Sequence, residues 1–308
     1  MKILNDPAYN FDLGLLAVLH PFEGRRFERI GRGLRDFSRI EVVSPESPIS
    51  QTEVDNFLTV EMQYAVKDKD RLLTALEVPK LPFVGYDFIE STVLTPMRWG
   101  VAGTILGAKI ALDERSIVWN LAGGYHHAGP AQIEGFCVYN DIGICVQNLI
   151  ESGTLSASDR ILIVDTDAHH GNGNAATFME ASNVSLLDVY NSRIYPLSTN
   201  TRDRIDFPVA LPPGADGVFY LDRFLPTLEQ LDGSYALAFV VAGTDVLKAD
   251  KLGGFSLTNT DVVERDAATV RFLLDREVPA IFLGGGGYSK ASIEASIASI
   301  STCAELIG

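Results

Sequence analysis

Short runs of β-branched and apolar residues recur along the chain, and each stops at a cluster of glycine and polar residues. The runs are Ile117–Leu121, Ile161–Val164, Val184–Val189, Ala236–Val241 and Ala280–Leu283. Largely apolar runs of four to six positions mark strands buried on both faces of a parallel sheet. Between them, helices are predicted at Val93–Leu112, Ile142–Ser152, Ala175–Glu180, Ala215–Gln230 and, as the last one, Thr260–Asp275. This alternation predicts one α/β domain over residues 1–308: three layers, with a mostly parallel central sheet and helices on both faces. Nearer the N-terminus, Ile3-Leu4 and Ile40–Val43 predict short strands and Thr52–Leu76 one helix. Phe27, Ile30, Leu34 and Phe37 give Arg25–Phe37 a helical apolar stripe, whereas Pro79, Pro82 and Gly85 make Lys80–Glu90 a loop.

In open parallel sheets, ligands bind beyond the carboxyl ends of the strands, and here those ends carry the chemistry. The run Ile161–Val164 leads into Asp165-Thr166-Asp167-Ala168-His169-His170-Gly171. Side chains two apart on extended backbone point the same way, so Asp167 and His169 can converge. Asp245 ends the strand Ala236–Val241 through Ala242-Gly243-Thr244. Two carboxylates and an imidazole would hold a divalent metal and leave a coordination position open, the mark of a catalytic site. Zinc and ferrous iron both suit that set. Asp165 reads as support for a ligand or for another histidine.

Four of the five histidines fall in two tandem pairs, His126-His127 and His169-His170. An imidazole can take a proton from water and pass it to a leaving amine at neutral pH, a role open to His126 and His127. His170 reads as a structural neighbour of His169. Lone His20, before Pro21, reads as a loop or capping residue. Tyr288 follows Gly284–Gly287, where glycine lets backbone approach a ligand and the phenol can donate to an oxyanion. A dinucleotide loop there would need glycine where Ser289 stands.

The net charge of −15 repels nucleic-acid phosphates and anionic membranes. It favours cationic partners such as lysine side chains or polyamines. No run approaches the roughly 18 apolar residues of a membrane span. Cys137, Cys145 and Cys303 form no disulfide framework or zinc ribbon. With no signal-peptide pattern at the start, a reduced cytoplasmic location is expected.

Taken together, Gly123-Gly124-Tyr125-His126-His127-Ala128, Gly135-Phe136-Cys137, Asp165 to Gly173 and Gly286-Gly287-Tyr288 resemble the signature of the zinc-dependent histone deacetylase family. The stretch Ala242 to Leu247 with Asp250, Leu252-Gly253-Gly254 and Ser256 is similar to the class IV branch. So are His20-Pro21-Phe22-Glu23 and Asp188 to Asn191 with Ile194-Tyr195-Pro196. The resemblance covers nearly the whole chain and implies an arginase/deacetylase fold.

It further implies Asp167, His169 and Asp245 as zinc ligands and Tyr288 as the catalytic tyrosine. His127 would be general base and acid, and His126 its electrostatic partner, paired with Asp165. Asn172 stands where class I enzymes have an aspartate, which should leave His127 less basic. The carbonyl of Gly135 would receive the substrate amide N–H, with Gly286 beside the substrate and Phe136 and Tyr195 as tunnel walls. A structural potassium ion would be held by the carbonyls of Asp165, Asp167, His169, Ser185 and Leu186.

The expected reaction is hydrolysis of an acyl group, acetyl or longer, from the lysine side-chain amide of a protein or peptide. An acetylpolyamine amidohydrolase acting on small cationic amides is the alternative. A two-metal ureohydrolase would need further ligands after Asp245, where Val246, Leu247 and Lys248 stand. A non-enzymatic reader of acyl-lysine would need a lost ligand, base or tyrosine. Oligomeric state is not legible in the sequence.

Overall fold

The computed structural model describes residues 1–12, 14, 22–80, 84–232 and 234–308. Among them, eight strands form one sheet: β1 Lys2–Leu4, β2 Glu41–Val43, β3 Ile117–Asn120, β4 Ile161–Asp165, β5 Val184–Asn191, β6 Phe207–Leu211, β7 Leu237–Val241 and β8 Ala280–Leu283. Their order is β2-β1-β3-β8-β7-β4-β5-β6, and every pairing is parallel. Strands β3, β4, β7 and β8 are buried at every position, as their apolar runs, ending in Asn120 and Asp165 on β3 and β4, require. Trp119 and Phe282, paired across β3 and β8, stack with centroids 4.6 Å apart.

The sheet order has a direct consequence for the site. Strands β3, β8, β7 and β4 are consecutive neighbours, so the polar clusters that follow them line one stretch of rim.

The helices are α1 Arg26–Leu34, α2 Gln51–Phe57, α3 Val60–Ala65, α4 Lys69–Ala75, α5 Tyr86–Ile89, α6 Thr95–Glu114, α7 Asp141–Glu151, α8 Asn172–Thr177, α9 Thr199–Arg202, α10 Gly217–Leu228, α11 Asn259–Asp275 and α12 Lys290–Ile307. They cover both faces. One group pairs α11 with α12 and sets α1 and α10 beside them; another packs α6 against α7, β3 and β8. Side-chain caps fix several starts, as Asn140 does for α7 and the capping boxes of Thr258 with Asp261 and Ser289 with Ser292 do for α11 and α12.

Four expectations are corrected. The helix expected over Thr52–Leu76 is three helices, α2 to α4, because Thr59 and Asp68 each cap a new start. The loop expected over Lys80–Glu90 contains α5, which passes through a π turn at Glu90–Leu94 into α6; residues 81–83 lie outside the described residues. Thr260–Asp275 is not the last helix, since α12 follows it. Edge strand β6 and short α9 were not expected at all. His20 and Pro21 lie outside the described residues.

Candidate active site and metal centre

The site begins where β4 and β7 end. Asp167, His169 and Asp245 present one ligand atom each, all within 4.8 Å of one another. His169 Nδ1 lies 3.0 Å from Asp167 Oδ1 and 2.8 Å from Asp245 Oδ2. Backbone donors aim the carboxylates: Gly286 N–H donates to Asp167 Oδ2 at 2.7 Å and Ala168 N–H to Asp245 Oδ1 at 3.0 Å. Both acids are buried, Asp245 completely. Burial and the adjacent Asp167 carboxylate push Asp245 up to about 7. Asp167 goes the other way: burial opposes its charge, but His126 and His169 hold it well below the usual carboxylate range. A water-excluded cradle with more acid than base is relieved by a cation, and its two carboxylates and imidazole fit zinc or ferrous iron.

The turn after β3 supplies the imidazoles. Asp141, at the start of α7, accepts N–H groups from Gly124 (3.1 Å) and Tyr125 (2.8 Å) and the Thr104 hydroxyl at 2.8 Å. This fixes the backbone just before the pair. His126 Nδ1 sits 2.8 Å from Asp165 Oδ2. Burial alone would lower its pKa, but the Asp165 and Asp167 carboxylates prevail and lift it to about 9. His127 Nδ1 sits 2.7 Å from Asn172 Oδ1. Burial, then the charges of His126 and His169, push His127 well below its ordinary value, against the Asn172 bond. Two adjacent imidazoles are thus driven apart, one toward the cation and one toward the neutral base.

The loop after β8 carries Tyr288. Burial and the Asp167 and Asp245 carboxylates push its phenol well above its ordinary value, so it remains a neutral donor. Its ring meets Phe136 edge-on at 5.6 Å. Gly286 passes so near the cradle that an added Cβ would lie 2.5 Å from Asp167 Oδ2. Gly135, at φ +55°, would place a Cβ 2.4 Å from His127 Cδ2, so only glycine fits against that ring. Tyr195 is 41% exposed, with its ring 5.4 Å from that of His127.

Ser185 and Leu186 are not brought to this rim. The register sets them opposite Leu162 and Ile163, and the residue abreast of Asp165 is Asp188. At roughly 3.3 Å per residue, Leu186 lies two positions below Asp165 along the strand. His170 is structural as expected, buried with Nδ1 2.6 Å from Asp188 Oδ2 and Nε2 2.9 Å from the Thr201 hydroxyl.

Several residues of the site carried no motif. Arg26, buried, donates to the carbonyls of Gly285 (3.1 Å) and Gly287 (3.3 Å). Arg265, also buried, donates to Thr166 O at 3.0 Å and Gly243 O at 2.8 Å. These two guanidiniums brace the loops after β8, β4 and β7 from behind. Glu134 was likewise missed, and Asp250 was noted only within the stretch similar to the class IV branch. An apolar strip on α1 and the Gly135-Phe136 segment were the nearest signals for Arg26 and Glu134.

The site opens into a cavity of about 100 Å³ lined by His126, His127, Phe136, Asp167, Gly286 and Tyr288. Its apolar wall continues past the strand ends onto Leu73 of α4 and Leu76 at its end, Ile89 of α5, Val93 of the π turn and Met97 of α6.

A fully parallel eight-stranded sheet, with an acid-and-imidazole cradle at the ends of its central strands, defines the arginase/deacetylase class of fold. The crystal structure of the HDA15 HD domain superposes with a TM-score of 0.75 at 20% identity, covering 100% of this chain and 90% of that one. The histone deacetylase domain, as a family profile, matches residues 20–303. The chain belongs to the histone deacetylase family. It is 30% identical over 296 residues to histone deacetylase 2 of Arabidopsis thaliana, covering 95% of this chain and 76% of that protein. An uncharacterised protein of Picosynechococcus is 35% identical over 192 residues, 62% of either chain. Histone deacetylase B of Dictyostelium discoideum is 30% identical over 204 residues, which is 62% of this chain but 46% of that one. Membership supports a deacetylase hydrolase activity in a family that is generally zinc-dependent. Among the described residues, no helix is long and apolar enough to cross a membrane.

Proposed function

We propose that this protein is a zinc-dependent lysine deacylase that hydrolyses the side-chain amide of an N-acyl-lysine in a protein or peptide. One observation carries the reading: Asp167 of the three-ligand cradle, two imidazoles pushed in opposite directions and the Tyr288 phenol line one apolar cavity.

Asp167, His169 and Asp245 would hold the ion, which when bound would polarise the acyl carbonyl and lower the pKa of a water beside it. His127, neutral and buried, takes the proton of the attacking water through Nε2. Tyr288 donates its phenolic hydrogen to the oxyanion as the carbonyl becomes tetrahedral. His126, kept cationic by Asp165, stabilises that negative charge, and the proton held on His127 passes to the leaving lysine amine. Gly135 offers its carbonyl to the substrate amide N–H, while Phe136 and Tyr195 flank the lysine methylenes. The apolar wall running onto α4, α5 and α6 supports acyl groups longer than acetyl, since such a wall gives additional methylenes a place out of water. The motif after Asp245 supports placing the chain near the class IV branch.

The deciding measurement is kcat/KM of the zinc-loaded protein on an acetyl-lysine peptide, a long-chain acyl-lysine peptide and an acetylpolyamine. The expected order puts the long-chain peptide first. An acetylpolyamine preferred by more than about tenfold, some 1.4 kcal/mol of transition-state binding, would replace the lysine-deacylase reading with that of a polyamine amidohydrolase.

A further inference from the structure

Glu134 is an acid at the site wall that neither the motifs nor the chemistry above uses. It is held by a rigid two-residue turn. Gly135 and Phe136 both have positive φ, +55° and +64°, and Glu134 and Cys137 exchange backbone hydrogen bonds of 3.1 and 2.9 Å around them. That pairing is the one a tight hairpin turn of this hand makes. The turn is pressed against the His127 ring at Gly135, so the Glu134 carboxylate is placed by backbone.

Two donors converge on that carboxylate. Asn172 Nδ2 makes a short hydrogen bond to Glu134 Oε1, and Gln132 Nε2 donates to the same oxygen at 3.3 Å. The consequence falls on Asn172. An asparagine amide has nearly the same shape in its two flipped orientations, and only its partners decide which end is the acceptor. An ionised carboxylate accepts and cannot donate, so the Asn172 amide turns Nδ2 toward Glu134 and Oδ1 toward His127. His127 Nδ1, 2.7 Å from that oxygen, must then carry the hydrogen. Nε2 is left with its lone pair. The flipped amide would donate to Nδ1, move the hydrogen to Nε2 and leave the imidazole unable to accept a proton from water.

We propose that Glu134 is a positioning residue that acts through Asn172 to fix the His127 tautomer, supplying at one remove the acceptor that Asn172 by itself leaves undetermined. This rests on the reading of His127 as the base.

The test combines two readouts on the full chain. Long-range ¹⁵N–¹H NMR of ¹⁵N-histidine-labelled, metal-free protein reports the tautomer of His127 without reference to activity. In the wild type, Nδ1 is expected to be protonated. Glu134→Ala should give substantial Nε2–H form and a fall in kcat of about tenfold or more, the scale of losing an outer partner that orients an imidazole, with KM changed less than kcat. Glu134→Gln, whose carbonyl can still accept from Asn172, should recover most of that loss. The double variant Glu134→Ala/Asn172→Ala should be no slower than Asn172→Ala alone. An unchanged tautomer in Glu134→Ala, or singles whose losses multiply in the double variant, would overturn the proposal. If the wild type hydrolyses no acyl amide, the base reading fails, and the NMR comparison still decides whether Glu134 sets the tautomer.

Discussion

Asp250 accepts the backbone N–H of Tyr288 at 2.7 Å through Oδ2, while its Oδ1 takes that of Leu252 at 2.9 Å. One carboxylate thus ties the loop after β7 to the loop after β8. Replacing Asp250 with Ala frees the Tyr288 backbone without touching the phenol. The expected result is a fall in kcat of roughly ten- to a hundredfold, since about 1 Å of misplacement costs that order. Steady-state kinetics together with metal content check it; loss of bound metal instead would mean that Asp250 holds up the cradle.

Tyr288→Phe removes only the donor. Its kcat should fall about a hundredfold or more, as for loss of an oxyanion-hole hydrogen bond. Hydroxamate binding, measured by calorimetry, should survive. An unchanged kcat would take Tyr288 out of the chemistry.

The cradle should be more stable filled than empty. At a hundredfold excess over Kd, an ion binding only the folded state adds about 2.7 kcal/mol, a rise of roughly 5 °C in melting temperature for a chain of this size. Asp245→Asn should abolish that rise. In chelator the same variant should melt no lower than wild type, because Asp245 carries its charge at a cost beside Asp167. Thermal scans with and without zinc separate these outcomes.

A pH dependence comes from the turn into α6. Burial opposes the charge on Glu90, but Arg98 beside it, with the Thr95 and Tyr86 hydroxyls, holds its pKa below the ordinary 4.5. A carboxyl lowered on folding adds stability above its unfolded pKa and loses that contribution as pH falls through its folded value. The melting-temperature gap between wild type and Glu90→Gln should therefore be widest near neutral pH and close below about 4.5. A gap that held constant to pH 3 would remove the ion pair as its cause.

What the sequence revealed and what it hid have physical reasons. Strands β3, β4, β7 and β8 are buried on both faces, so their apolar runs were plain, and the candidate ligands stand among the residues that follow them. Edge strand β6 hid because it alternates, with Val209 and Leu211 buried while Pro208 and Ala210 face water, and a proline is tolerated only at such an edge. Helix α12 hid in a run of Ser, Ala and Ile that has little periodic contrast. How far Ser185 and Leu186 lie from Asp165 was hidden because a parallel register cannot be read from composition; the pairing of Asp165 with Asp188 fixes it. Glu134 and Asp250 act through partners 38 residues away along the chain, and no local pattern announces such pairs.

The glycines around the cradle bear on how this site can change over generations. Gly243 and Gly286 each approach Asp167 so closely that a single methyl would stand 2.6 or 2.5 Å from its Oδ2. Mutation therefore has no graded path there: any side chain either displaces the ligand or is lost. The aliphatic residues of α4 to α6 are under no such constraint, because swaps of similar volume among Leu, Val, Ile and Met cost little. New substrate preferences in this lineage should accumulate on that helical wall, while the chemistry on the opposite side stays frozen by backbone.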